Sequence, residues 1–184
     1  MSIFLSYCEE DAKLVHRVFW ILFRMHLEPY AYMLYPEPGE FIHDVVIRRI
    51  NRSDYVIPFL TRDGVRSQWV NQEIGAAHAL GKYIIPIREV GVESKGFVEL
   101  RHYIDYSPSN PEGMISSLIW RLRTLLSPEA MDVKCPKCGA TTVVGLASFE
   151  LTREAISEGK NLGAKCKDCQ HVIVFNPRTQ EVIG

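Results

Sequence analysis

The chain has no hydrophobic run long enough to cross a bilayer and almost no excess of charge of either sign. A transmembrane helix needs roughly 20 consecutive apolar residues, and no segment of the 184-residue sequence approaches that length. The formal net charge of −1 lacks the positive excess that is typical of proteins that bind nucleic acid or an anionic membrane. The segment MSIFLSYCEED lacks the basic and long apolar regions of a signal peptide. We therefore expect a cytoplasmic protein in a reducing compartment, with neither a membrane nor nucleic acid as its partner.

The sequence also lacks the motifs of two large enzyme classes. The Pro- and Gly-rich stretch YPEPGEF, residues 35–41, contains no Lys or Arg and too few glycines to cradle phosphates. No serine lies in a G-x-S-x-G elbow. The histidines are scattered along the chain, and His16, His43 and His78 are predicted on solvated helix faces. These absences argue against a nucleoside triphosphatase and against a serine hydrolase.

Cysteine is scarce but patterned, because four of the five cysteines form two C-x-x-C pairs. Cys135 pairs with Cys138, and Cys166 pairs with Cys169. Two such pairs brought together by the fold place four thiolates around a tetrahedral Zn²⁺. Disulfides belong to oxidising compartments, and a redox C-x-x-C needs one pair alone. We predict a structural zinc site; iron stays open as the metal, and His171 is an alternative ligand or a bystander.

Short apolar runs alternate with longer amphipathic runs along residues 1–127. The predicted strands lie in SIFLSY, EPYAYML, DYVIPFLT, YIIPIREV and HYIDYS. Strands that alternate with helices predict an α/β fold with a parallel sheet covered on both faces. The right-handed crossover rule favours a flavodoxin-like, doubly wound, five-stranded order. Ligands of such sheets bind beyond the carboxyl ends of the strands.

The end of the chain differs in pattern from the α/β region. Residues 128–134 are predicted as a linker, and residues 135–184 read as two hairpins, each with a C-x-x-C at its turn. This arrangement is typical of a zinc ribbon, a β structure too small to fold without its metal. The 27 residues between the inner cysteines are many for a ribbon and predict an inserted short helix.

One carboxylate stands on the apolar side of the third predicted helix. At 100° per residue, an apolar stripe contains Trp69, Ala76, Ala77 and Leu80, with Val70 and Ile74 at its edge. Glu73 lies near the middle of that stripe. Such a group either reaches an Arg or a loop amide, or is placed for chemistry. The helix begins beyond the carboxyl end of a strand, where ligands bind, and Trp69 offers a flat aromatic surface one turn earlier.

Five motifs in order resemble those of the Toll/interleukin receptor (TIR) domain over roughly residues 3–126. IFLSYCEED resembles the first box of the family, YPEPGEF its loop after the second strand, and DYVIPFLT and GKYIIPI its core strands. SQWVNQEIG resembles the Ser-x-Trp and Trp-x-x-x-Glu signature of the enzymatic branch. The resemblance implies an NAD⁺ glycohydrolase that yields nicotinamide and ADP-ribose, or a cyclic form, and that self-associates with other TIR domains in signalling or defence.

The resemblance also implies a role for each matching residue. Glu73 falls at the catalytic glutamate of the family. The residues implied to bind substrate are Ser6, Tyr7, Gly39, Phe41 and Trp69. The sequence departs from the pattern at Cys8, where several NAD⁺-cleaving relatives carry a basic residue; Arg62 or Arg66 is a candidate substitute. Cys8 itself is either a nucleophile or, as is commoner for a lone cysteine, a small buried residue.

A second hypothesis is a non-catalytic TIR module that docks onto other TIR proteins, with the zinc ribbon as a docking or sensor domain. Cys8 in place of a basic residue favours it, whereas Trp69 and Glu73 at the enzymatic spacing favour the enzyme. A nucleic-acid-binding ribbon is a third hypothesis, against which the weak positive charge of the ribbon argues. The sequence leaves open the product, the activating signal, the oligomeric state and the target of the ribbon.

Overall fold

The central sheet is parallel throughout the part of the chain that the computed structural model describes, residues 1–32, 41–93, 98, 102–126 and 128–183. Its strands are β1 (Ser2–Ser6), β2 (Glu28–Tyr30), β3 (Tyr55–Leu60), β4 (Tyr83–Ile84), β5 (Ile87–Glu89) and β6 (Ile104–Tyr106). The order is β2-β1-β3-β5-β6, with β4 also paired to β3. The predicted α/β, flavodoxin-like fold is confirmed. The fourth predicted strand is divided into β4 and β5 around Pro86, which has no N–H for a ladder hydrogen bond.

Helices cover both faces of this sheet. They are α1 (Ala12–Arg24), α2 (Ile42–Arg52), α3 (Gln68–Ala79) and α4 (Pro111–Leu126). One hydrophobic core joins the sheet to α1 and α4, and a second joins it to α2 and α3. Side chains of β1 alternate between these cores: Ile3 and Leu5 belong to the first, and Phe4 to the second. None of the helices in the described ranges has the length and hydrophobicity of a transmembrane segment.

Helix α3 begins and ends at the residues that its sequence predicts. The Ser67 hydroxyl accepts a hydrogen bond from the Val70 N–H at 3.3 Å, as an N-cap does. Gly81 follows the last turn with φ of +65°, a conformation that favours glycine. The predicted apolar stripe is partly wrong, because Leu80 is exposed while Val70 is fully buried. The buried face is therefore rotated from the predicted one, and Glu73 still lies within it.

The C-terminal region consists of two antiparallel hairpins with a helix between them. The elements are β7 (Ala130–Lys134), β8 (Thr141–Gly145), α5 (Phe149–Ser157), β9 (Leu162–Lys165) and β10 (Val172–Phe175). Strands β7 and β8 form one hairpin, and β9 and β10 form the other. A C-x-x-C lies at each turn, and α5 occupies the predicted insertion. Strand β7 lies within the segment predicted as a linker.

This region packs directly against α1 and α4. Met131, Ile173 and Phe175 belong to the same hydrophobic cluster as the inner faces of those helices. The Arg17 guanidinium on α1 donates two hydrogen bonds to the Glu181 carboxylate, at 2.8 and 2.5 Å. The boundaries of the two predicted domains therefore stay a prediction, since one apolar core continues across them.

Candidate active site and metal centre

A buried hydrogen bond joins the end of β1 to the second turn of α3. The Ser6 hydroxyl donates to Oε2 of Glu73 at 2.5 Å. Ser6 is fully buried and Glu73 is 4% exposed. Because side chains alternate along a strand, Ser6 faces α3 together with Phe4 and away from α1 and α4. Ser6, which the sequence predicted as a substrate contact, therefore contacts the Glu73 carboxylate from the end of β1.

The Glu73 cleft lies between the first turns of α2 and α3, at the carboxyl edge of the sheet. It encloses about 90 Å³. Its described lining consists of His43, Val46, Ile47, Trp69, Gln72, Glu73 and Ala76. The rings of His43 and Trp69 lie 5.2 Å apart, centre to centre. The sequence predicted His43 on a solvated helix face and gave no indication that His43 or Gln72 would line a cleft. Both residues become part of the cleft only because α2 packs against α3.

Burial governs the protonation of Glu73. Desolvation raises the pKa of its carboxyl group to about 8, against hydrogen bonds from Ser6 and the Trp69 indole that lower it. Glu73 is thus mostly a neutral carboxylic acid at pH 7. A cation that enters the cleft favours the ionised form, because opposite charge at short range lowers the pKa of a carboxyl group. Glu73 can therefore both hold and release a proton near neutral pH.

The structure brings some of the predicted substrate residues to Glu73 and leaves others elsewhere. Trp69 lines the cleft, and Ser6 contacts the carboxylate. Tyr7 is 3% exposed in the core on the other face of the sheet, so the structure does not bring its side chain to Glu73. Phe41 precedes α2 with 83% of its surface exposed and is not part of the lining. Gly39 lies outside the described residues.

Sequence comparison assigns the α/β region to a known family. Residues 3–119 match the family model described as TIR domain. The chain belongs to the TIR domain family. The match covers more than half of the chain and ends within α4 of the TIR fold. Comparison with curated proteins gives no match.

Solved structures share the TIR fold at low sequence identity. The TIR domain of the Toll-related receptor TRR-2 from Hydra magnipapillata is 19% identical, with a TM-score of 0.56 over 66% of this chain and 97% of that chain. The Clostridium botulinum CMP N-glycosidase BcmB is 21% identical, with a TM-score of 0.50 over 65% and 99%. A metazoan TIR-STING receptor from C. gigas is 20% identical, with a TM-score of 0.52 over 63% and 38%. At these identities the likeness shows the fold alone.

Cys8 and Arg62 both have polar partners within the TIR fold. The Cys8 thiol donates to the Asp11 carboxylate at 3.1 Å, and the Thr61 hydroxyl donates to the same oxygen. Burial and the neighbouring Asp11 raise the pKa of Cys8 to about 12. The interpretation of Cys8 as a small buried residue is therefore confirmed. Arg62 forms a salt bridge of 3.2 Å with Glu89 on β5.

The four paired cysteines form a tight sulfur cluster between the two hairpins. Their Sγ atoms all lie within 4.8 Å of one another, and no disulfide joins them. The Cys135–Cys169 and Cys138–Cys166 sulfurs are 3.8 and 3.7 Å apart. A tetrahedron with metal–sulfur bonds of about 2.3 Å has edges of about 3.8 Å. The geometry therefore fits a metal ion such as zinc.

Hydrogen bonds to one of these sulfurs favour its thiolate form. Backbone N–H groups of Cys169 and Asp168 and the Thr142 hydroxyl lower the pKa of Cys166, whereas hydrogen bonds among the four thiols raise the pKa of Cys138. Thiolates are the forms that ligate zinc. His171 is not part of the cluster among the described residues, and its carbonyl accepts the Cys166 N–H at 2.8 Å. The four cysteines are thus sufficient as ligands.

Removing the Ser6 hydroxyl tests its effect on Glu73. In Ser6→Ala, we expect the Glu73 pKa to rise above 8 by about one unit, because the ionised carboxylate loses a donor. The ¹³C chemical shift of the Glu73 carboxyl carbon, titrated between pH 5 and 10, measures it. Ser67→Ala is the control, because its hydroxyl caps α3 without contacting Glu73. An unchanged midpoint in Ser6→Ala would contradict the assigned role.

Proposed function

We propose that the protein is an NAD⁺ glycohydrolase that cleaves the bond between nicotinamide and ribose. The observation that carries the proposal is the buried Glu73 carboxyl in a cleft with aromatic walls, at the edge of the sheet where ligands bind. Membership of the TIR family, with the Trp69 and Glu73 spacing of its NAD⁺-cleaving branch, supports the choice of substrate.

The chemistry of NAD⁺ explains why one carboxylate suffices. Nicotinamide is already a cationic leaving group, so no acid has to protonate it. The glycosidic bond breaks through an oxocarbenium-like state, as in glycoside hydrolysis. Ionised Glu73 in an apolar cleft stabilises that positive charge and then deprotonates the attacking water. Attack by water gives ADP-ribose, and attack by the tethered adenine gives a cyclic product.

The proposed cleft is too small to enclose the whole substrate. It holds about 90 Å³, whereas sites for drug-sized ligands span roughly 300–1,000 Å³. The cleft is large enough for the pyridine ring and the bond that breaks. Phe41, Ile42 and Ile47, around the first turns of α2, are exposed hydrophobic residues. We therefore propose that a neighbouring TIR subunit covers this rim, so that activity depends on self-association.

Two further functions compete with this proposal. A non-catalytic TIR interaction module is supported by Cys8, which stands where several NAD⁺-cleaving relatives carry a basic residue. A nucleotide N-glycosidase is supported by the structural similarity to a CMP N-glycosidase. Cytosine is a neutral leaving group that has to be protonated as it departs, so that reaction needs the acid form of Glu73.

Nicotinamide release from NAD⁺ tests the proposal. Zinc-loaded protein is incubated with NAD⁺ or with CMP, either dilute or crosslinked into assemblies, and the released bases are quantified by chromatography. We expect nicotinamide from the assembled protein and no cytosine from CMP. Cytosine release alone would favour the nucleotide N-glycosidase. Inert protein under every assembly condition would favour the interaction module.

The pH dependence of NAD⁺ cleavage follows from the raised pKa of Glu73. The ionised carboxylate is the form that stabilises positive charge, and it is the minor form below pH 8. We therefore expect kcat/KM to rise about tenfold per pH unit below pH 8 and to level off above it. A profile that falls with rising pH in the same range would instead indicate that Glu73 acts as an acid.

We propose a division of the chain into a TIR domain, residues 1–127, a linker, residues 128–134, and a zinc-ribbon-like domain, residues 135–184, with β7 of the linker segment paired to β8 of the ribbon. The sulfur geometry supports a structural Zn²⁺ held by Cys135, Cys138, Cys166 and Cys169. We also propose a cytoplasmic location, because thiolates that hold zinc stay reduced there. Within the family, a self-associating NAD⁺ hydrolase with an added module fits a role in signalling or defence.

A further inference from the structure

Besides Glu73 itself, the described lining of the cleft has two strongly polar side chains that the proposed cleavage does not use. They are His43 on α2 and Gln72 on α3, and both are exposed at the mouth of the cleft. Val46 and Ile47, one turn after His43, line the same cleft, so the lining residues of α2 share one helix face. The His43 side chain therefore belongs to the wall of the cleft.

The His43 ring lies against the aromatic wall of the cleft. Its centre is 5.2 Å from the centre of the Trp69 ring, with an angle of 39° between the two planes. The Trp69 indole in turn donates a hydrogen bond to the Glu73 carboxylate. The three side chains thus form a connected row from the exposed mouth of the cleft to its buried end. A flat ring that contacts Trp69 is therefore within reach of the imidazole.

The nitrogens of His43 are available to a ligand. Within the described ranges, His43 makes the ring contact with Trp69 but no hydrogen bond or ion pair. A neutral imidazole has one N–H donor and one acceptor nitrogen. Val46, Ile47 and Ala76 in the neighbouring wall are apolar and offer no competing partner. The cleft therefore combines an apolar interior with a donor and an acceptor at one side of its mouth.

Nicotinamide, the leaving group of the proposed reaction, has an edge that matches this arrangement. Its pyridine ring is flat and mostly apolar, and the carboxamide at its 3-position carries a carbonyl acceptor and an NH₂ donor. An amide that leaves water for an apolar cleft needs new hydrogen bonds, because burial of an unpaired amide is unfavourable. His43 can supply one to the carbonyl or to the NH₂ group, whichever of its nitrogens carries the hydrogen.

We infer that His43 determines the leaving-group specificity of this site by forming a hydrogen bond to the carboxamide of nicotinamide. The inference rests on the proposed cleavage of NAD⁺ and assigns a residue of α2 to recognition of the pyridine ring. In this role His43 binds the substrate and takes no part in stabilising the oxocarbenium ion. Its loss should weaken binding of the ground state and the transition state alike, which raises KM and leaves kcat unchanged.

Binding of free nicotinamide tests the inference without requiring turnover. The Trp69 indole N–H resonance is followed by NMR in the zinc-loaded full chain while nicotinamide, or pyridine without the carboxamide, is titrated. His43→Phe keeps an aromatic ring beside Trp69 but has no ring nitrogen. We expect this variant to bind nicotinamide about five- to tenfold more weakly, as the loss of one hydrogen bond implies. Pyridine should bind wild type and His43→Phe within about twofold of each other, because it lacks the group that His43 contacts.

Further variants separate recognition from packing. His43→Gln keeps a donor and an acceptor at a similar reach, and it should bind nicotinamide more tightly than His43→Phe does. His102→Phe is the control and should bind as wild type does, because His102 is exposed and lies outside the cleft lining. Equal weakening of both ligands in His43→Phe would overturn the inference, since it would indicate a packing role. A loss specific to nicotinamide in Gln72→Met alone, or no saturable shift with nicotinamide in wild type, would also overturn it.

Turnover distinguishes failure of this inference from failure of the proposed function. In assembled His43→Phe, KM for NAD⁺ should rise about five- to tenfold, whereas KM for an NAD⁺ analogue with an unsubstituted pyridine should stay unchanged. Wild type that binds nicotinamide through His43 but releases none from NAD⁺ would contradict the proposed function and support the inference. Cleavage of both dinucleotides by wild type, with the same loss for both in His43→Phe, would contradict the inference alone.

Discussion

Replacement of Glu73 by glutamine is expected to lower NAD⁺ cleavage by at least about 10³-fold, the range seen when a charge-stabilising or proton-transferring group is lost. Glutamine has nearly the same shape as the buried acid and keeps an oxygen for the Ser6 hydroxyl, which donates to Oε2 of Glu73. It cannot carry the negative charge that opposes the developing oxocarbenium ion. Nicotinamide release by assembled protein, with kcat and KM measured separately, provides the test, and the loss should appear in kcat.

Stability measurements separate this loss of activity from a folding defect. The Glu73 pKa is raised from 4.5 to about 8, so the folded state binds a proton more tightly than the unfolded state. The wild type therefore loses stability as the pH rises from about 5 to 8, because the unfolded state releases this proton at lower pH than the folded state does. Glutamine does not titrate, so Glu73→Gln should unfold at a higher denaturant concentration than the wild type at pH 8.

Glu89→Gln is the matched control for a buried carboxylate at the same edge of the sheet. Glu89 is 7% exposed and contacts Arg62, and it does not line the Glu73 cleft. We expect this variant to retain NAD⁺ cleavage. Equal loss of activity in both variants would mean that any buried charge at this edge is required. Full activity in a well-folded Glu73→Gln would refute the catalytic role of Glu73.

Much of the fold could be predicted from the sequence because parallel strands are buried on both faces. Such strands read as continuous apolar runs, and their alternation with amphipathic helices leaves few topologies. The ends of individual strands were harder to predict from the sequence. Pro86 divides the fourth strand, and β7 occupies part of the segment predicted as a linker, because the pairing of β7 with β8 depends on a partner strand rather than on local composition.

The candidate site could be predicted only in part. Trp69 and Glu73 are neighbours at helical spacing, so their proximity follows from the sequence alone. The alternation of β1 also separates Ser6 from Tyr7, the residue that follows the strand, since consecutive residues of an extended chain face opposite sides of the sheet. That signal indicates that the Tyr7 side chain lies away from Glu73, and a substrate contact of Tyr7 stays a prediction. His43 had no comparable signal, because it enters the cleft only when α2 packs on α3.

Metal removal is expected to have the largest effect on stability. Apparent zinc-binding free energies of about 10–16 kcal/mol are typical of structural sites, and they match or exceed the net stability of a whole domain, about 5–15 kcal/mol. Cys135 and Cys166 are buried in the cluster that also contains the inner faces of α1 and α4. Loss of the metal should therefore unfold the two hairpins and also lower the melting temperature of the TIR domain.

Cys166→Ser and chelator-treated wild type test the effect of metal loss. Atomic absorption measures their zinc content, and circular dichroism follows their thermal unfolding. Cys8→Ala is the matched control, because Cys8 is buried but lies outside the sulfur cluster. We expect one zinc per chain in wild type and Cys8→Ala, and none in Cys166→Ser. If the metal-free chain kept the amide NMR signals of β7–β10 and its melting temperature, the shared apolar core alone would hold the hairpins. The cysteines would then serve exchangeable or redox chemistry instead of structure.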